Sequence, residues 1–170
     1  MSVTWEPFFL QPDIPKEGVP KDGTPATRVS PALQDVNKKE GPAIQFTGKC
    51  DRYPNTEDYH VAMAYVLEKH GADAQNRCAS RTFKAYFQDG IFPDEKNLIS
   101  QIGEVVADLD TAALLADLRS KSKVSRVKTH ARDTMIEYQI TGVPYFIING
   151  HFEFSGAQDP EYFVSAFEQA

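Results

Sequence analysis

The sequence predicts an α/β protein with one leading strand, a block of about five helices, a β-hairpin and a closing helix. Three observations carry that prediction. Residues 3–10, "VTWEPFFL", are β-branched and aromatic and stop at Gln11-Pro12. Residues 56–139 contain a series of segments that open on Thr or Asp and place apolar residues at helical spacing. Residues 144–154 hold two short apolar runs separated by Asn149-Gly150.

Within the leading strand, Pro7 cannot donate to a ladder, so that strand belongs at an edge or a bulge. Residues 11–49 are rich in clusters such as "PDIPKEGVPKDGTP", which predict a long irregular excursion with one short helix near 31–40. Excursions of that length in a compact domain are usually functional or mobile. At Thr56 the pattern changes. "NTEDYHVAMAYVLEKHG" opens on a Thr cap, places acids in the first turn and ends Lys-His-Gly, so both ends suit the helix dipole. "DAQNRCASRTFKAYFQDG" repeats that scheme up to Gly90, and "DEKNLISQIGEVVADL" and "DTAALLADLRSK" each start on an Asp. The last helix of the block runs over about 124–139, with Val127, Ala131, Met135 and Tyr138 inward. A strand over 144–149, the Asn149-Gly150 turn and a strand over 152–154 follow. Asp159 as cap and Pro160 in the first turn then start the final helix.

A chain of 170 residues suffices for one well-packed domain. Its 41% hydrophobic and 25% charged content is that of a soluble globular protein. A net charge of −6 argues against nucleic acid as a partner, because duplex binders need a concentrated basic face. The basic stretch "RSKSKVSRVKTHAR" (119–132) reads as one cationic face of a helix end. No apolar run approaches the ~20 residues of a membrane span. The N-terminus lacks the features of a signal peptide, so the expected location is cytoplasmic. Cys50 and Cys78 form neither a C-x-x-C nor a zinc-binding spacing. Cys78 lies on the stripe Ala74, Cys78, Phe83, Tyr86, Phe87 and is expected to be a buried hydrophobe. Cys50, in a polar connection, is expected to be the exposed thiol.

Four motifs in order carry a resemblance to a known family. They are "WEPFFLQPDIPKEG" (5–18), "YPNTEDYHVAMAYVLEKHG" (53–71), "FKAYFQDGIFPDEKNL" (83–98) and "TGVPYFIINGHFEFSGAQDPEYF" (141–163). Together they resemble the C-terminal three quarters of the DSBA-like thioredoxin family. The branch they resemble is the FrnE type, related to kappa-class glutathione transferases and 2-hydroxychromene-2-carboxylate isomerases. The resemblance covers most of residues 5–169 and is weakest over 19–50. It implies a thioredoxin-like fold with an inserted helical subdomain, in a single incomplete domain over 1–170. Residues 3–10 and 141–170 would form the thioredoxin part, and about 54–139 the insertion.

The resemblance also implies a site. Pro144 would be the family's cis-proline, and the backbone of Val143 would pair with an extended thiol peptide or glutathione. Ser155, Gly156, Ala157 and Gln158 would surround a bound anion at the start of the last helix. The plainer alternative is that Ser155 and Gly156 form a turn and Asp159 caps the helix. Gln11 stands where the family usually has Asn at the exit of its second strand, and His151 lies near the presumed site. His60 reads as packing or capping, His70 as a helix-end cation, and His130 as part of the basic segment.

The departure from the family is in its chemistry. The first strand and the C-x-x-C, or Ser, at the next helix start have no counterpart in these residues. The place of that strand would be taken by residues 3–10, by a partner chain as in a homodimer, or by residues of a longer product. No cofactor is required, and no catalytic residue or metal ligand is identified. Three functions stay open. One is an oxidoreductase-family protein with weak or absent dithiol activity. Another is a non-enzymatic module for glutathione or a peptide. The last is a glutathione-dependent transferase or isomerase.

Overall fold

A computed structural model describes residues 2–170, and its first segment departs from expectation: no strand forms over 3–10. That run lies along helical side chains instead. The Gln75 amide accepts the Trp5 N–H at 2.8 Å and donates to the Trp5 carbonyl at 2.9 Å. One buried side chain thus replaces the peptide of a neighbouring strand. Asn76 accepts the Trp5 indole N–H at 2.9 Å, and the Trp5 ring meets Phe83 edge-on at 5.4 Å. Strand propensity measures fit to a half-buried surface, which helices also offer, and Pro7 has no N–H for a ladder.

The excursion that follows is ordered by polar side chains. Strand β1 (Val19–Pro20) pairs antiparallel with β2 (Arg52–Tyr53), and between them lie helices α1 (Pro25–Arg28) and α2 (Pro31–Glu40). Helix α2 matches the short helix expected near 31–40, and its cap, Ser30, accepts the Leu33 N–H. Arg52 donates to the carbonyls of Glu17 at 2.7 Å and Gly18 at 2.9 Å. The Asn37 side chain clips both backbone groups of Phe46 at 2.8 and 2.7 Å. At Gly18, with φ +75°, a Cβ would stand 2.6 Å from the Tyr53 carbonyl oxygen, so only glycine lets these strands approach.

Helix α3 (Glu57–Phe83) supplies most of the core. Glu57 and Asp58 occupy its first turn, where the dipole favours acids. Gly71, at φ 82° and ψ 176°, divides it into the two helical legs that the sequence predicts. A π-helical turn (Lys84–Asp89) closes it at Gly90. Helices α4 (Glu95–Gly103), α5 (Thr111–Leu118) and α6 (Lys121–Glu137) pack against α3. Asp94, Asp110 and Ser120 cap them by accepting the N–H three residues on. Val61, Val66, Cys78, Ile102, Leu114 and Leu118 form the centre of the core. On α6, Val127 and Ala131 are buried as expected, but Met135 is exposed and Tyr138 only half-buried. The packing surface of α3, α4 and α5 does not extend to the last turn of α6.

The C-terminal part builds on itself. Strands β3 (Tyr145–Ile148) and β4 (Phe152–Ser155) pair antiparallel across a turn in which Asn149 and Gly150 have φ of 48° and 71°. Those positive angles suit the twist of a tight hairpin, which is why Asn-Gly is a good signal. Phe146 and Phe154 stack at 5.0 Å, and Phe163 of helix α7 (Pro160–Gln169) meets both at 4.9 and 5.2 Å. Asp159 stands at the cap position of α7, but its side chain makes no cap hydrogen bond, contrary to expectation. Among the described residues β3 has β4 as its one neighbour, and residues 3–10 do not join it. No helix there is long and apolar enough to cross a membrane.

Candidate functional site

The hairpin brings together two of the sequence-predicted segments. The Val143–Pro144 peptide bond is cis, and both residues are exposed, Val143 by 48%. The register that pairs Tyr145 with Ser155 continues one step, so the Gly156 N–H donates to the Pro144 carbonyl at 2.8 Å. Gly156 can do this at φ 85° because it has no Cβ. Gln158 folds back and donates to the Ser155 carbonyl at 3.0 Å, while Ala157 is exposed beside it. Ser155 thus belongs to β4 and Gly156 extends its pairing by one step, so the two do not form a turn of their own. The backbone N–H and C=O of Val143 take no hydrogen-bond partner among the described residues.

His151 and Gln11 stand apart from this group. His151 sits in the turn, where its N–H donates to the Ile148 carbonyl. Four residues of strand separate that end from Pro144, about 13 Å at the usual rise. Gln11 belongs to the bend after the N-terminal run, where its carbonyl accepts the Ile14 N–H at 3.5 Å.

A pair that the sequence reading overlooked flanks Pro144. The Tyr145 hydroxyl donates to Glu153 at 2.6 Å, and that bond holds the phenol above its usual range. The two residues are diagonal neighbours in the observed register, in which Ile148 pairs with Phe152 across the three-residue connection 149–151.

Both cysteines are buried. Cys78 is fully buried, and burial pushes its thiol up to about 11. Cys50 corrects an expectation: it is 5% exposed, not the exposed thiol. Its Sγ donates to the Arg52 carbonyl at 3.6 Å, and Lys21 donates to its carbonyl at 3.2 Å. The connection is polar in sequence but folds under Tyr86 and Lys21, where the ammonium lies over the Tyr86 ring at 4.7 Å. Both thiols are free.

The histidines outside the hairpin have structural partners. His60 Nε2 lies 3.1 Å from the Phe8 carbonyl, an acceptor only, so Nε2 carries the proton. Burial pushes this imidazole down to about 4, with the Phe8 bond opposing. His70 lies 6.3 Å from the Tyr65 ring just before Gly71. His130 bonds Glu6 at 2.6 Å, which ties the N-terminal run to α6. Among the described residues, no group of three or more His, Cys, Asp or Glu could hold a metal ion.

The arrangement at the hairpin leaves the backbone groups of Val143 exposed beside Pro144, and neither cysteine lies in it. A family model described as a DSBA-like thioredoxin domain matches residues 1–168. No curated protein matches the chain.

Proposed function

Because the chain belongs to the family of DSBA-like thioredoxin domains, we propose that it binds an extended thiol peptide or glutathione along Val143. We place it in the FrnE-type branch, with dithiol exchange by its own cysteines weak or absent. The observation that carries this reading is the half-exposed Val143, with unpaired backbone groups, at the mouth of β3. A peptide laid there gains main-chain hydrogen bonds by adding to a strand edge. Exchange needs an accessible thiolate. A thiol at about 11 and fully buried, as Cys78 is, supplies almost none at neutral pH. Reduced, buried thiols suit a cytoplasmic location.

Amide spectra recorded during titration with glutathione test the binding. The Val143 and Gly156 signals should move saturably, and the response should vanish in Val143→Pro, which removes the N–H. Static spectra at the highest concentration would end the binding proposal. In an insulin-reduction assay with dithiothreitol, the rate should equal the blank for the native chain and for Cys50→Ser/Cys78→Ser. Acceleration that the double variant loses would assign true exchange activity. Conjugation of glutathione to a chromogenic electrophile would favour a transferase or isomerase instead.

A further inference from the structure

Helix α6 presents a feature that the hairpin site does not use. A cleft of about 660 Å³ opens between α6, the end of α5 and the loop that carries Lys16. Its walls hold Lys16, Arg119, Lys121, Lys128 and Arg132 against a single carboxylate, Glu57. In a protein of net charge −6, that concentration runs against the overall sign.

The cations come from a helical stripe. Lys121, Ser125, Lys128 and Arg132 follow one another at intervals of four and three residues, so they share one face of α6. Lys128 and Arg132 form a like-charge pair one turn apart, which by itself destabilises a helix. Lys121 opens α6 where the dipole is positive, and the first turn holds no acid. The hydroxyls of Ser125 and Thr129 line the same cleft, and Leu118 and Val124 give it an apolar floor.

Two of the ion pairs around the cleft are exposed on both sides and exchangeable. Lys16 meets Asp58 at 3.2 Å, Arg119 meets Glu95 at 3.0 Å, and Arg132 meets its neighbour Asp133 at 3.1 Å. Arg119 and Arg132 are 65% and 64% exposed and their carboxylates are exposed too, so an incoming anion displaces Glu95 and Asp133 at small cost, whereas Asp58, 21% exposed, stays with Lys16. Lys128 holds Glu57, and Lys121 has no carboxylate partner among the described residues.

From this we infer that the cleft binds a small organic molecule bearing two or more oxyanion groups, phosphate or carboxylate. Its volume is in the range of ligand pockets, about 300–1,000 Å³. The guanidinium groups of Arg119 and Arg132 suit bidentate contact with either oxyanion. The floor receives the apolar body of the ligand.

Calorimetry at low salt with inorganic pyrophosphate, a nucleoside diphosphate and citrate tests the inference and separates phosphate from carboxylate. At least one probe should bind saturably and one-to-one, weaken with added salt, and lose about tenfold or more in affinity in Lys121→Gln/Arg132→Gln. Arg126→Gln, on the same helix but outside the cleft, should leave binding unchanged. The charge-neutral substitutions are exposed, so an unchanged thermal midpoint shows that the fold is kept. Binding of none of the three probes would overturn the inference. So would equal loss in Arg126→Gln, or binding only of an acidic polymer such as polyglutamate or a DNA duplex.

Discussion

The environment of Gln75 decides where the N-terminal run lies. Its amide bonds both backbone groups of Trp5 and also donates to the Met63 carbonyl at 3.2 Å. Gln75→Met keeps the volume but leaves the Trp5 N–H and carbonyl without a partner, while the Met63 carbonyl keeps its helical bond. A loss of about 2–4 kcal/mol is expected in urea unfolding. Trp5 is the one tryptophan, so its emission should shift to the red as the run detaches. His60 gives stability a pH dependence. Its folded value of about 4 lies below the ~6.5 of an exposed histidine, so the unfolded chain binds the proton more tightly. The His60 contribution is complete above about pH 6.5 and is lost as the pH falls through about 4, by up to about 3 kcal/mol. His60→Gln keeps a donor for the Phe8 carbonyl and should flatten the stability profile across that window.

Among the elements, α3 shows how a single glycine shapes the core. Its backbone at Gly71 lies in a region nearly closed to other residues, yet a Cβ there would meet nothing within 4 Å. The cost of Gly71→Ala is therefore conformational, about 1–3 kcal/mol, and thermal denaturation should show it as a lowered midpoint. The break was legible as Lys-His-Gly followed by a new Asp start, because helix ends are written in local residues. The Asp caps of α4 and α5 were legible for the same reason, whereas α6 starts at Lys121 under a Ser120 cap, earlier than the expected 124. The cap of α7 was not legible, because whether the Asp159 carboxylate turns inward depends on the hairpin before it.

For the molecule as a whole, the two ends of the chain differ in how they are held. Helix α3 is buried by three other helices, whereas β3, β4 and α7 pack mainly through their own aromatic rings. A two-stranded hairpin is marginal by itself. Hydrogen exchange should therefore release the β3 and β4 amides well before those of the first leg of α3. Equal protection in both regions would show that the parts unfold as one unit.

By itself the sequence determined the helical block and the hairpin, because caps, periodicity and turn chemistry act within a few residues. Its four motifs also identified the family to which the chain belongs. Only the tertiary structure decided that residues 3–10 pair with a glutamine about seventy positions away and not with a strand. It also decided that Cys50 is buried under Lys21 and Tyr86, and that Lys16 joins α6 in one basic cleft. Each of these depends on which distant surfaces meet. Local propensity carries no information about that, since the same apolar or charged residue is equally content beside several different partners.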